Sequence, residues 1–142
     1  MKPYGAALFL ISVSSWVVTG PASAAEPACL RESFVEARTL SELPASVLSI
    51  LGSGHLGTDG IADRDGMFNA TDIVVPFLPT RRFVLAAVGE RCVVIALEQG
   101  GVGHMFTVLL LKRAESTWET SHQHFMPTPP GSLQELVTYV SR

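Results

Sequence analysis

Four runs decide the fold, three of them mainly apolar and the last mostly polar: FVLAAV at residues 83–88, RCVVIALE at 91–98, HMFTVLLLK at 104–112 and TWETSHQH at 117–124. The runs are short, and most are rich in residues that favour strands. Gly89-Glu90 separates the first two runs and predicts a two-residue type II′ hairpin turn, with glycine in its first central position. The sequence therefore predicts a four-stranded antiparallel meander.

The second and third runs carry apolar residues at both odd and even positions, as Val93, Val94 and Ile95 illustrate. Strands of this kind are buried on both faces of a sheet. We expect helices of the same chain to cover one face. The other face would then need the long loop described below, another subunit or a partner.

Helical patterns precede and follow the four runs. Residues 33–51 predict two helices, of which the first has a capping box at Ser33 and Glu36 and the second ends at Gly52. A second capping box at Ser132 precedes apolar residues at helical spacing. The sequence as a whole thus predicts an α+β fold with N-terminal helices, the four-stranded meander and one C-terminal helix.

The first 24 residues have the pattern of a secretory signal peptide. Lys2 provides a positive start, residues 6–18 form a mostly apolar run, and Ala22-Ser23-Ala24 provides the small residues that signal peptidase recognises. The run is shorter than the roughly 20 residues that span a bilayer, which disfavours a retained membrane helix. We expect cleavage after residue 24, one exported domain at residues 25–142, and a periplasmic or extracellular location without membrane attachment.

Charge and length exclude several classes of function. The 142 residues carry a net charge of −3, which becomes −4 when Lys2 leaves with the signal peptide. A protein of this mild acidity lacks the excess of positive charge that binds nucleic acid or anionic lipid. The 118 residues that remain after cleavage are enough for one hydrophobic core and too few for two.

Both cysteines, Cys29 and Cys92, follow the predicted cleavage site. Exported proteins meet oxidising conditions, in which such a pair forms a disulfide. We expect one Cys29–Cys92 bond that attaches the N-terminal segment to the sheet. Lipidation of Cys29 is disfavoured, because Glu26 would occupy the position that a lipobox reserves for an aliphatic residue.

Residues 52–72 have no helical or strand period, and a connection of this length is uncommon in a compact domain. Five glycines and four aspartates are spread through this segment, while Ile61, Met67 and Phe68 favour docking onto a core over disorder. Long ordered loops of this kind are usually functional, so we expect a contact surface for a protein partner or a second copy. The predicted binding residues are His55, Asp59, Asp63, Arg64, Asp65, Phe68 and Asn69.

A histidine pair raises the alternative of a divalent metal site. His122 and His124 alternate along a predicted strand and would share one face, together with Trp118 and Thr120. Zinc would need a third protein ligand, which His104 on the neighbouring strand or Glu98 across the hairpin would supply. A solvated or hydrogen-bonded histidine pair without metal is the competing interpretation.

The aspartates of the long loop match part of a calcium-binding pattern. Asp63-Arg64-Asp65-Gly66 and Asp72 have some of its spacing, but Ile61 occupies the position of the first ligand. Aspartates that cap turns in a glycine-rich loop explain the same residues without metal.

Two classes of function follow from these patterns. The first is an exported binding protein without a cofactor, of the inhibitor or immunity type. The second is a metal-dependent or carboxylate-based hydrolase that uses the loop aspartates and the histidine pair. No nucleophile elbow or other catalytic signature occurs in the sequence, which favours the first class. Only an enzyme requires its reactive groups to converge in one pocket.

Overall fold

The computed structural model describes residues 27–142, so the predicted signal peptide lies outside the described residues. One antiparallel sheet has the strand order β1-β2-β3-β4-β5, and its last four strands form the predicted meander. No helix in the described part is long and apolar enough to cross a membrane. The strands are β1 (Val35–Ala37), β2 (Arg81–Val88), β3 (Cys92–Gln99), β4 (Met105–Ala114) and β5 (Thr117–Met126), the α-helices are α1 (Ala45–Leu51) and α2 (Leu133–Val140), and 3-10 turns occupy Ala28–Arg31, Leu40–Glu42 and Gly57–Asp59.

The α+β class is confirmed, but the sheet has five strands instead of four. The extra strand, β1, replaces the predicted first helix. Its three residues pair with Val88, Ala87 and Ala86 along the free edge of β2. The capping-box spacing of Ser33 and Glu36 is only a local signal for a helix. Pairing of β1 with the edge of β2 overrides this signal, because the pairing satisfies backbone groups of both strands and buries Ala37.

One α-helix precedes β2 in the described chain instead of the two predicted. Helix α1 begins after Pro44, which occupies the N-cap position, and it ends at Gly52 as predicted. Gly52 adopts a left-handed φ of 74°. A Cβ at this position would also clash with the backbone carbonyl of Asp59, so both conformation and space require glycine here.

β3 is buried on both faces of the sheet, as its sequence predicts. On one side, which we call the α1 face, helix α1 packs with Leu40, Leu43 and Ile61 against the sheet. On the opposite side, the α2 face, helix α2 packs beside Leu30 and Cys29. The chain therefore covers the centre of both faces by itself and needs no second subunit there.

The N-terminal segment also closes the turn between β2 and β3. Glu32 accepts hydrogen bonds from Arg91 N at 3.0 Å and from Cys92 N at 2.9 Å. Gly89 leaves room for this contact, because a Cβ there would meet the Glu32 carboxylate. Val88 pairs with Val93, and Gly89 N donates to Cys92 O at 2.9 Å. The turn therefore lies at Glu90 and Arg91, and the predicted type II′ turn with Gly89-Glu90 in its centre is wrong. The glycine is needed for the close approach of a carboxylate from outside the hairpin.

Cys29 and Cys92 form the expected disulfide, with their Cα atoms 5.7 Å apart and a sequence separation of 63. In the chain-entropy model, closing a loop of this length stabilises the folded state by about 4 kcal/mol. We expect the double substitution Cys29→Ala and Cys92→Ala to lower the free energy of unfolding by about this amount in urea denaturation. The control is the same comparison in dithiothreitol, where the difference should be much smaller; an equal difference in both conditions would contradict the prediction.

Candidate functional site

The candidate residues gather at the end of the sheet where β2 begins and β3 ends. Gly100 N donates to Thr80 O at 2.9 Å, and Asn69 N donates to Pro79 O at 2.8 Å. These bonds bring the long loop against the connection between β3 and β4. We call this region, made of residues 52–80 and 100–104, the loop end.

The first half of the long loop is docked along the edge of β2. Ala62 N donates to Arg81 O, and Phe83 N donates to Ala62 O, both at 2.9 Å. Ile61 is buried in the core of the α1 face, whereas Met67 is exposed. The loop is therefore part of the folded domain, and its apolar residues divide between core and surface.

A buried asparagine fixes the second half of the loop. Asn69 is 3% exposed. Its Oδ1 accepts a hydrogen bond from Val75 N at 2.8 Å, and its Nδ2 donates to Val75 O at 3.1 Å and to Leu78 O at 2.8 Å. One side chain thus supplies the partners that a neighbouring strand would otherwise give to this backbone. Asn69 supports the loop from inside and presents little surface to a partner.

The segment that Asn69 holds exposes large apolar side chains. Ile73 is 77% exposed and Phe77 is 73% exposed. Leu56 is brought close to Phe77 in space, because Gly57 N donates a hydrogen bond to Phe77 O at 3.1 Å. Phe77 also has a φ of 72°, a left-handed conformation that is uncommon for residues other than glycine. We call this group the apolar tip; its members are Leu56, Ile73, Val74, Val75 and Phe77.

The sequence marks this tip by an apolar run, although the run does not show that its side chains are exposed. Residues 73–77 form the most apolar run of the connection between α1 and β2. Apolar runs in loops usually dock onto a core, but the core of this domain is complete without these side chains. The exposure of these side chains is therefore seen only in the structure.

A charged network lies beside the loop end, on the α2 face of the sheet. Arg82 donates to Glu98 Oε2 through Nε at 2.9 Å and through Nη2 at 2.6 Å. His104 Nε2 lies 2.7 Å from the other carboxylate oxygen, Oε1. The ring centroid of Phe68 lies 4.4 Å from the guanidinium carbon of Arg82, a cation–π contact. Both oxygens of Glu98 are therefore held by neighbouring side chains.

These partners decide the ionisation of Glu98. Burial raises the pKa of this carboxyl, but the hydrogen bonds with His104 and Arg82 and the charge of Arg82 outweigh burial and hold the pKa below its ordinary value. A general acid needs a pKa near the working pH. Glu98 is ionised at neutral pH, and the network acts as a fixed structural element.

The network borders an open cavity of about 400 Å³. Val84, Phe106 and Pro129 provide apolar walls, and Arg64 and Asp65 line the same cavity. The predicted binding residues Arg64, Asp65 and Phe68 thus lie near one another, beside an Arg82–Glu98 pair that the sequence prediction did not include. The predicted Gly89-Glu90 turn would set Arg82 opposite Leu97. Only the observed register, with its shift between Phe83 and Leu85, sets Arg82 opposite Glu98.

The other predicted binding residues lie apart from this cavity. Asp63 Oδ1 accepts hydrogen bonds from Leu40 N at 3.0 Å and from Arg64 N at 2.8 Å, as expected for an aspartate that caps a turn. His55 and Asp59 are exposed in the first part of the loop. Their contact with a partner stays a prediction.

His122 and His124 lie on the α2 face of β5. Their rings stack with centroids 6.2 Å apart, and His124 meets the ring of Tyr139 edge to face. Trp118 and Thr120 were expected on the same face and lie on the opposite one, because Ser121 is an extra residue in the pairing of β5 with β4. A β-bulge therefore makes this part of the prediction wrong.

The expected third ligands do not join the histidine pair. His104 and Glu98 bond to each other in the charged network beside the loop end. Within residues 27–142, no group of three or more His, Cys, Asp or Glu side chains is arranged to hold a metal ion. His122 and His124 offer two ligands, and metal binding by them stays a prediction.

The Asn69 bonds predict a specific stability effect. Asn69→Ala leaves Val75 N, Val75 O and Leu78 O without their side-chain partner, and we expect the free energy of unfolding to fall by about 2 kcal/mol. Thr71→Ala is the matched control in the same loop, because it removes only one bond, to Ile73 N at 3.3 Å. Urea denaturation measures both variants, and equal losses would contradict the role of Asn69.

The Glu98 network predicts sensitivity to acid. The folded pKa of Glu98 lies below its ordinary value of 4.5. Its contribution to stability is therefore fully present above about pH 4.5 and is lost as the pH falls through the folded pKa. The difference in free energy of unfolding between the wild type and Glu98→Gln should shrink as the pH falls through this range. Glu119→Gln, at an exposed position on β5, is the control; a difference for Glu98→Gln that does not change with pH would refute the prediction.

Comparison with known proteins gives no relative from which a function could be transferred. No protein-family model matches the chain, and no curated protein or solved structure shows significant similarity to it. Function is therefore inferred from the chemistry of the site.

Proposed function

We propose that this protein is an exported binding protein of the inhibitor or immunity type, whose apolar tip enters a cleft of a partner protein. The observation that carries this proposal is the exposure of Ile73, Val74 and Phe77 on a loop held by a buried side chain. Grouped large apolar side chains on a surface mark interaction sites. Here they lie on an anchored loop, which suits insertion into a concave surface.

Preorganisation of the loop supports this proposal. Asn69 fixes the backbone around Val75 in the free protein, so a partner would not have to order this segment. Phe77 provides a large exposed ring, and aromatic side chains are frequent anchors of protein interfaces. Its left-handed backbone also fits the general association of unusual conformations with functional sites.

The surroundings of the tip favour a protein over a membrane as the partner. The exposed charges close to it in sequence are Asp59 and Asp72, and the whole chain has a net charge of −3. Anionic lipid surfaces attract clusters of Lys and Arg, which this segment lacks. A cleft with apolar walls and a neutral or basic rim is the complementary surface.

Export is supported by the Cys29–Cys92 disulfide and by the N-terminal sequence pattern. Disulfides of this kind form and persist in oxidising compartments such as the periplasm and the extracellular space. The partner would therefore be sought among proteins of the same compartment.

The hydrolase alternative has less support in the described chain. Glu98 is bound by Arg82 and His104, Asp63 holds backbone groups, and the histidine pair lies on β5. These groups do not converge on one reacting atom, as catalysis requires.

The test places a photoreactive aromatic residue at the tip, as Phe77→p-benzoylphenylalanine in the full chain made in its exporting host. We expect irradiation to join it to one partner protein, which mass spectrometry identifies. Unlabelled wild-type protein should compete for that cross-link. Unlabelled Phe77→Ser should compete at least about tenfold less well, because an anchor ring typically contributes about 2 kcal/mol or more to binding.

The matched control is Val35→p-benzoylphenylalanine, at a position that is 72% exposed and lies at the opposite end of β2. Equal cross-linking at both positions, or cross-linking only to a second copy of the chain, would contradict the proposal. Flotation with neutral lipid vesicles tests the membrane alternative. Vesicle binding that Phe77→Ser abolishes would assign the tip to a membrane surface instead.

A further inference from the structure

Strand β5 forms one outer edge of the sheet. It pairs with β4 on one side and, within residues 27–142, has no neighbouring strand on the other. A free strand edge exposes a row of backbone N–H and C=O groups that can pair with another chain. Most side chains of β5 are exposed as well. This edge is therefore accessible to a second polypeptide.

The register shows which backbone groups of β5 face outward. Arg113 N donates to Arg91 O at 2.8 Å, so the backbone groups of Arg113 point at β3. Because these groups alternate along a strand, the residues of β4 that pair with His122 and His124 point at β5 instead. His122 and His124 therefore bond to β4, and Gln123 between them directs its N–H and C=O to the free edge.

Two features keep the free part of this edge short. Tyr139 OH donates to Phe125 O at 2.5 Å and so occupies one outward acceptor. On the other side of Gln123, the bulge at Ser121 interrupts the regular strand. Pairing through the few residues between these points would bury far less than the roughly 1,200 Å² of a stable interface. A second copy would need an additional bond to stay attached.

The two histidines beside Gln123 can supply that bond through a metal ion. Their rings project from the α2 face and stack with centroids 6.2 Å apart. Ser121 Oγ lies 2.8 Å from Nδ1 of His122. In the tautomer in which this Nδ1 donates to Ser121, Nε2 carries the lone pair that a metal ion needs. One chain thus offers two imidazoles, which is half of a four-ligand site.

The segment His122-Gln123-His124 is symmetric about its central residue. Two copies that pair antiparallel about Gln123 place His122 of each copy opposite His124 of the other. These histidines then occupy the non-hydrogen-bonded positions, where opposite Cβ atoms lie about 5 Å apart. The two histidines of one strand are about 7 Å apart along it. All four rings therefore surround one point on the same face, and Glu119 lies opposite Pro127, so no like charges meet.

We propose that two copies of this chain pair antiparallel through β5 and bind one zinc ion between their two histidine pairs. Zinc takes four ligands in a tetrahedral arrangement and binds imidazole nitrogens at about 2 Å. Strand pairing positions the rings, and the ion supplies the attachment that the short edge lacks. This site goes beyond the proposed protein-binding function and does not depend on it, since none of its residues belongs to the apolar tip.

The test measures the mass of the untagged, disulfide-bonded protein by sedimentation equilibrium in slightly alkaline buffer, where imidazoles are uncharged. We expect a monomer in EDTA and a dimer in zinc chloride, with one zinc ion per two chains by native mass spectrometry. His122→Ala should stay monomeric at the zinc and protein concentrations at which the wild type dimerises, because each chain then keeps a single ring. His55→Ala removes an exposed histidine from the long loop and is the matched control, which should dimerise like the wild type.

Hydrogen exchange followed by NMR tests the pairing of the strands. The amide of Gln123 should exchange more slowly in zinc than in EDTA, because its N–H becomes bonded to the second copy. The amide of Glu119 is the internal control, since its pairing with Lys112 of β4 is the same in both conditions. Phe77→Ser should dimerise like the wild type, which separates this site from the apolar tip.

Three results of the mass measurement would overturn the proposal: a monomer in zinc, an equal dimer in EDTA, or a zinc-dependent dimer that persists in His122→Ala. Exchange of the Gln123 amide at the same rate in zinc and in EDTA would overturn it as well. In that case zinc would join the chains without pairing of β5.

Discussion

The rest of the structure depends on the burial of β3 on both faces of the sheet. A strand without a polar face needs apolar cover above and below. The chain provides this cover with α1 on one side and α2 on the other, and the Cys29–Cys92 bond attaches the N-terminal segment to β3 itself. Burial decreases where β3 ends, at Glu98 and Gln99, and there the charged network, its cavity and the long loop are found.

The fold could be predicted wherever the signal was local and strong. Strands β2 to β4 have clear apolar runs, and α2 begins at a capping box in which Ser132 accepts a hydrogen bond from Glu135 N. Strand β1 could not be predicted, because its three residues are defined by pairing with a distant edge and their own spacing resembles a helix start. The bulge at Ser121 was also hidden, since only the register with β4 shows it.

The sequence patterns singled out residues 52–72, but four of the five members of the apolar tip follow that segment, at residues 73–77. The composition of the long loop indicated function, yet Asn69 resembled its exposed polar neighbours in sequence. Its burial follows from bonds to Val75 and Leu78 that the path of the loop creates. This residue shows that the structural role of a buried polar group depends on its tertiary contacts, which the local sequence does not show.

A loop fixed from inside and apolar outside is the feature on which the proposed binding function rests. The most direct measurement is the hydrogen-exchange rate of the Val75 amide in the native protein, followed by NMR. A preformed tip predicts exchange far slower than in an unstructured peptide, because this N–H donates to the buried Asn69 Oδ1 at 2.8 Å. Exchange at the rate of an unstructured amide would contradict a preformed tip and remove the main support for its role in binding.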